Sequence, residues 1–149
     1  MTNTAVVRRT IDVTPAEVWA VLADGWLYPS WVVGASRMRD VEGHWPSPGS
    51  KLHHSVGLWP FLLNDRTEVV DCEPEKSLLL RAHGWPAGAA DVLVELEPAG
   101  SGTEVTIRED AVAGPATLVP PQLRQLGVIP RNREALRRLA FLAEGHAAA

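Results

Sequence analysis

The sequence predicts an α+β domain in which an antiparallel sheet of seven strands curves around one long helix near the C-terminus. Short alternating segments separated by twelve glycines and twelve prolines are typical of strands joined by turns. A helix-start signal follows the first of these segments, and an amphipathic helical pattern closes the chain. Because 149 residues suffice for a sizeable core, we expect a single domain over residues 1–149.

The closing helix is predicted over Pro130–Glu144, with proline in its first turn and Gly145 as its stop. At 100° per residue, Leu136 and Leu139 share an apolar side that needs a surface to cover it. Phe141 falls among the charged positions, so we expect either a loop or a second copy of the chain to cover it. We interpret the late arginines as the solvated side of this helix rather than as an anion site. They are Arg124, Arg131, Arg133, Arg137 and Arg138.

Two short helices are predicted between the first and second strands. Thr14 and Glu17 form a capping box with proline between them, which starts a helix that ends near Leu22. The segment 24–31 is too irregular for a strand and is predicted as a second short helix or turn. The predicted strands are 5–13, 32–41, 50–56, 61–72, 77–83, 89–97 and 103–110.

Four segments give the chain a resemblance to a known superfamily. They are Thr14–Trp19 (TPAEVW), Tyr28–Trp31 (YPSW), Gly102–Val105 (GTEV) and Asn132–Leu139 (NREALRRL). In this order and spacing the chain resembles the START-related superfamily of polyketide cyclases, lipid-transfer domains and birch-pollen-allergen-like proteins. That resemblance implies the helix-grip fold over almost the whole chain. It does not imply one activity, because such proteins include both enzymes and carriers.

A sheet curled around one helix encloses a volume that two short helices cannot fill, so we expect an internal cavity. Successive turns of a meander alternate between the two ends of the sheet, which places Trp31, Trp59 and Trp85 at one end and Trp45 at the other. The three tryptophans either form the mouth of an apolar cavity or close the sheet end by packing. We also expect Leu136 and Leu139 to contact a ligand from the helix.

Polar residues on the inward strand faces are the candidates for chemistry. A two-residue loop at 58–59 would pair His54 with Leu63 and place Asp65 on the same face. Pairing Leu96 with Val105 in the last hairpin turns Glu109 inward.

Arg81 would join these residues if Leu79 faces inward, but Leu78 and Leu80 compete for that face. The group is therefore either a compensating arginine–carboxylate pair or a ligand anchor with acid–base capacity. In the second case His54 is the best acid–base candidate, because imidazole titrates near neutrality, although it could instead be a structural histidine.

Three hypotheses of function follow. The first is passive binding of a small hydrophobic molecule such as a lipid, a polyketide or an aromatic metabolite. The second is an enzyme of the polyketide cyclase or dehydratase type, in which His54, Asp65 or Glu109 moves protons. The third is a chaperone-assisting interaction module that uses the tryptophan rim.

Several classes of protein are disfavoured. A net charge of −4 argues against a nucleic-acid binder. No apolar run approaches the length of a membrane span, and the single cysteine, Cys72, suits a reducing compartment, so we expect a cytoplasmic protein. Adjacent strand residues such as His53 and His54 point to opposite faces and cannot share an ion. We expect no metal and no cofactor.

Overall fold

A computed structural model describes residues 4–33, 35–56, 63–84 and 88–148. It contains one antiparallel sheet with the spatial order β1-β7-β6-β5-β4-β3-β2. The strands are β1 (Ala5–Ile11), β2 (Ala35–Glu42), β3 (Lys51–Val56), β4 (Leu63–Glu73), β5 (Ser77–Gly84), β6 (Gly88–Ala99) and β7 (Gly102–Ala113). The predicted α+β class, the seven strands and the meander are therefore confirmed. The predicted turn at 57–60 lies outside the described residues.

The predicted capping box begins the first helix, α1 (Pro15–Leu22). The Thr14 hydroxyl accepts a hydrogen bond from the Glu17 amide at 3.3 Å, and the Glu17 carboxylate accepts one from the Thr14 amide at 2.9 Å. A 3-10 helix (Gly25–Leu27) and a four-residue helix, α2 (Tyr28–Trp31), follow. The sequence signals therefore identified both short helical segments between β1 and β2.

The long helix, α3, spans Pro121–Ala148, so its predicted bounds were wrong at both ends. Pro130 lies inside the helix, where it removes one backbone hydrogen bond, the one to the carbonyl of Leu126. Leu126 is 73% exposed, so water can satisfy that carbonyl. Gly145 also continues the helix and does not stop it.

The sheet curves around α3, which packs against β1, α1 and α2. Breaks in the pairing register, each with an extra residue on β2, β4 or β7, bend these strands, because a bulge increases local twist. The core lies between the sheet and the C-terminal half of α3. Its fully buried side chains include Ile11, Val18, Leu22, Leu78, Val94, Val105, Ile107, Leu136 and Leu139. This is the expected helix-grip arrangement.

Two surface features bear on the expectations for partners. Phe141 is 76% exposed, so no loop of the described chain covers it, and a contact with a second copy stays a prediction. Among the described residues, no helix combines the length and the apolar character that a membrane crossing requires.

Candidate functional site

A cavity of about 450 Å³ lies between the sheet and the N-terminal half of α3. Its wall is mostly apolar. The apolar part includes Ala5, Trp31, Val32, Val33, Ala35, Leu80, Ala82, Val92, Ile107, Ala111, Val128 and Ala135. Such a volume falls within the range of pockets that hold small organic ligands. Most polar residues of the wall form two clusters, whereas His83 lies 3.3 Å from the carboxylate of Glu68.

The first cluster is a buried chain of hydrogen bonds, called here the Tyr28–Thr67–His54 chain. The hydroxyl oxygens of Tyr28 and Thr67 lie 3.1 Å apart, and Nε2 of His54 lies 2.9 Å from the same Thr67 oxygen. Thr67 is fully buried, and Tyr28 and His54 are 5% and 3% exposed. Nδ1 of His54 is also buried and has no hydrogen-bond partner of ordinary geometry among the described residues. All three side chains line the cavity.

Aromatic packing fixes the position of Tyr28. Its ring meets Trp31 edge-on at a centroid distance of 5.6 Å and lies 5.3 Å from the ring of His54. Trp45 contacts Tyr28 edge-on at 6.4 Å, and its indole N–H donates to the carbonyl of Leu22. Because three rings surround the tyrosine, its hydroxyl is held in a defined place.

Burial keeps the Tyr28–Thr67–His54 chain uncharged at neutral pH. It raises the pKa of Tyr28 to about 12, opposed by the hydrogen bond between Tyr28 and Thr67 and reinforced by the negative charge of Glu109. It also lowers the pKa of His54, although the nearby charge of Asp65 acts in the opposite direction. The chain is therefore a neutral polar patch in an apolar wall.

The second cluster joins β7 to α3 through two ion pairs. Arg131 and Asn132 each donate to the carboxylate of Glu109, Asn132 at 3.2 Å. On the next residue of β7, Asp110 accepts from Arg124 at 3.3 Å, and Arg124 also donates to the carbonyl of Ala116. Each carboxylate of this cluster thus has its own arginine, and both pairs are partly exposed to solvent. We call these four charged residues the β7–α3 ion pairs.

Of the predicted candidates, three lie in the cavity wall: Trp31, His54 and Glu109. The predicted register of the last hairpin is confirmed, since Leu96 pairs with Val105 and Val92 with Glu109. Trp59 and Trp85 lie outside the described residues.

The predicted β3–β4 register was wrong, because His54 pairs with Asp65 and not with Leu63. The connection between these strands is longer than the predicted two residues. Because the partner of His54 differs by two positions, the same side chains of β4 still point inward. Asp65 is therefore beside His54, but it is not one of the residues that line the cavity.

Three other placements were also wrong. Arg81 points away from the cavity and forms a two-bond ion pair with Asp91 at 2.8 and 3.0 Å, because Leu78 and Leu80 occupy the inward face of β5. Leu136 and Leu139 are buried in the core below the cavity and do not line it. Helix α3 reaches the cavity through its earlier turns.

Sequence reasoning missed six wall residues on α3. They are Arg124, Gln125, Val128, Arg131, Asn132 and Ala135. Their spacing of i, i+1, i+4, i+7, i+8 and i+11 is one face of a helix, so the signal was present in the sequence. The predicted start at Pro130 leaves out only Arg124, Gln125 and Val128. The predicted assignment of Arg124 and Arg131 to the solvated side of the helix is wrong, because both line the cavity and bond to carboxylates of β7.

Tyr28 and Thr67 were also missed, and no sequence pattern marks them as a pair. Their contact joins the short helix α2 to β4, 39 residues apart in the chain.

In the described part of the chain, no group of three His, Cys, Asp or Glu side chains is placed to hold a metal ion. His53 lies on the other face of β3 from His54 and pairs with Glu42 at 2.8 Å.

Fold and site together define a helix-grip protein with a mostly apolar cavity between the sheet and α3. The family model described as "Polyketide cyclase / dehydrase and lipid transport" matches residues 2–144. The chain belongs to this family. No curated protein sequence matches it.

Solved structures share the fold at low sequence identity. Ara h 8.0201 is 16% identical with a TM-score of 0.73, over 95% of this chain and 97% of that one. The protein NE0264 from Nitrosomonas europaea is 18% identical with a TM-score of 0.73, over 98% and 97% of the two chains. The di-domain ARO/CYC StfQ from the steffimycin biosynthetic pathway is 12% identical with a TM-score of 0.74. That match covers 98% of this chain and 52% of StfQ.

Proposed function

We propose that this chain binds a small hydrophobic molecule in the cavity between the sheet and α3. The observation that carries the proposal is the cavity itself, with about 450 Å³ of space behind a largely apolar wall. Close-packed protein interiors leave few voids larger than a water molecule, so space of this size favours a ligand. Membership of a family that includes lipid transport supports the same function.

Native mass spectrometry of the purified chain tests this proposal. We expect an additional mass of a small apolar molecule that is lost on denaturation. Filling the cavity by Ala111→Phe should abolish that mass, whereas Ala147→Phe, at an exposed position of α3, should retain it. Equal retention by both variants would place the ligand elsewhere and contradict the proposal.

A second candidate function is proton transfer on a bound polyketide chain, as in a cyclase or dehydratase. The observation that favours it is the Tyr28–Thr67–His54 chain, which places a neutral imidazole and a protonated phenol in an apolar cavity. A neutral imidazole can accept a proton, and a phenol can donate a hydrogen bond to a developing oxyanion. Glu109, the predicted carboxylate that does line the cavity, is already paired with Arg131.

The two functions differ in their response to His54→Ala. An enzyme that uses this histidine would lose formation of aromatic product from a poly-β-ketone substrate while it keeps substrate affinity. His53→Ala is the matched control, because His53 is the next residue of β3 and lies on the outer face. Product formation that survives His54→Ala would exclude this histidine as the base.

The interaction-module hypothesis receives no support from the described tryptophan of the proposed rim. Trp31 is 3% exposed, and a partner protein could not contact so buried a side chain without moving it.

A further inference from the structure

We propose that the ligand is uncharged and carries a hydroxyl or carbonyl oxygen that bonds to the Tyr28–Thr67–His54 chain. This inference rests on the proposed binding function and specifies the chemistry of the ligand. Three observations lead to it. The charged residues of the wall are already paired, the Tyr28–Thr67–His54 chain has hydrogen-bonding capacity left, and its three side chains are uncharged.

The charge balance of the wall disfavours an ionised ligand. Among the described wall residues, the arginines are Arg124 and Arg131, and each is bonded to its own carboxylate in the β7–α3 ion pairs. A ligand carboxylate would have to share one of these arginines with Glu109 or Asp110, at the cost of repulsion between like charges. A ligand ammonium would similarly compete with an arginine. Burial of an unpaired charge is unfavourable by several kcal/mol.

The Tyr28–Thr67–His54 chain has capacity for one more partner. A hydroxyl offers one donor and two acceptor lone pairs, and the two bonds described above leave Tyr28 with an unused acceptor or donor. If Nε2 of His54 accepts from Thr67, Tyr28 donates to Thr67 and can accept from a ligand hydroxyl. If Nε2 carries the proton, the direction reverses and Tyr28 can donate to a ligand carbonyl. The chain therefore suits either oxygen type, and the imidazole tautomer selects the direction.

The Tyr28–Thr67–His54 chain offers no charged group to an ionised ligand. Burial favours the neutral forms of both Tyr28 and His54, so neither supplies a charge that a ligand carboxylate or ammonium could pair with. The negative charges of Glu109 and Asp65 also disfavour an anion near the tyrosine hydroxyl, although the positive charge of Arg131 acts in the opposite direction.

Three probes of similar shape separate the possibilities: 2-naphthol, 2-methylnaphthalene and 2-naphthoate, measured by equilibrium dialysis at pH 7. We expect 2-naphthol to bind tightest, and 2-methylnaphthalene about three- to tenfold more weakly because it lacks the hydrogen bond. We expect 2-naphthoate to bind at least about tenfold more weakly than 2-naphthol because its charge has no free partner. The inference is overturned if 2-naphthoate binds as tightly as 2-naphthol, or if 2-methylnaphthalene does. Binding of none of the three would overturn the proposed function itself.

A variant that frees Arg131 from its carboxylate partner tests why 2-naphthol should bind more tightly than 2-naphthoate. Glu109→Gln removes the carboxylate that occupies Arg131, so the affinity ratio of 2-naphthoate to 2-naphthol should rise at least about tenfold. Glu95→Gln is the matched control, because Glu95 on β6 pairs with Arg108 on β7 at 2.7 Å but does not line the cavity. We expect this control to leave the ratio unchanged. A ratio that stays constant in a folded Glu109→Gln protein would contradict the charge-balance argument, and the probe series on the unsubstituted chain decides the matter if that variant does not fold.

Discussion

Nε2 of His54 lies 2.9 Å from the hydroxyl oxygen of Thr67, inside the cavity wall. Thr67 is fully buried, and it also bonds to Tyr28, so one hydroxyl serves two buried partners. Buried polar groups are costly unless they are paired, which makes this threonine the central member of the chain. Its loss should therefore affect stability more than the loss of either neighbour's polar atom.

Replacing Thr67 by valine tests that role. The substitution keeps the shape but leaves the Tyr28 hydroxyl and His54 Nε2 without their partner, so we expect the free energy of unfolding to fall by at least about 2 kcal/mol. Thr67→Ser retains the hydroxyl and removes only a methyl group, with an expected cost of about 1 kcal/mol. Urea denaturation measures both. A valine variant as stable as the serine variant would show that the hydrogen bonds contribute little.

Tyr28→Phe removes a single hydroxyl and keeps the ring contacts with Trp31, His54 and Trp45. We expect a loss of about 0.5–1.5 kcal/mol in the free energy of unfolding, since Thr67 keeps its bond to His54. Combining Tyr28→Phe with Thr67→Val should cost less than the sum of the two single changes, because the tyrosine hydroxyl is then no longer stranded. Strict additivity in this double-mutant cycle would argue against the hydrogen bond between the two residues.

The buried imidazole of His54 should make stability depend on pH. Its pKa in the folded chain is below the ordinary value of 6.5, chiefly through burial and against the charge of Asp65. The unfolded chain therefore binds more protons than the folded chain below about pH 6.5, and the free energy of unfolding decreases as the pH falls through that region. The decrease ends once the pH passes below the pKa of the folded state.

His54→Gln isolates this contribution from that of the other ionisable groups near β3, which include Arg39, His53 and Asp65. Urea unfolding of both proteins at pH 7.5 and pH 5.5 measures it. We expect the unsubstituted chain to lose more stability between these pH values than the glutamine variant does. Identical losses would mean that His54 is not held neutral by burial.

The fold could be predicted from the sequence because strand alternation, turn residues and the capping box at Thr14 are local signals. Part of the site followed from the same signals, since the alternation of side chains along a strand turns His54 and Glu109 inward. The rest depends on contacts that no local pattern records, such as the one between Tyr28 and Thr67. The arginine partner of Glu109, Arg131, lies inside the predicted helix, but a charged residue beside an apolar stripe predicts a solvated position, and only the fold shows that it faces the cavity.

Arg81 provides a test of the corrected assignment. It pairs with Asp91 on the face of the sheet away from the cavity, at a solvent-accessible position. Solvent competes with exposed ion pairs, so Arg81→Ala should change the unfolding midpoint only slightly and should not change 2-naphthol affinity. A clear loss of affinity in dialysis would return Arg81 to the binding site.

The glycine content of α3 yields a stabilising change. Gly127 lies inside the helix, and a Cβ placed on it would meet nothing within 4 Å. Alanine loses less backbone entropy than glycine on helix formation, so Gly127→Ala should raise the free energy of unfolding by about 0.5–1 kcal/mol.

Gly88 is the contrasting position, because it begins β6 with φ of +118° and a Cβ there would lie 1.9 Å from the carbonyl oxygen of Ala113. Gly88→Ala must therefore move backbone at the wall of the cavity and should destabilise the chain. Thermal unfolding followed by circular dichroism compares the two variants under one set of conditions. Because the same glycine-to-alanine change is made in both, opposite signs must arise from the local backbone. A Gly127→Ala protein less stable than the unsubstituted chain would indicate that this turn of α3 is not helical.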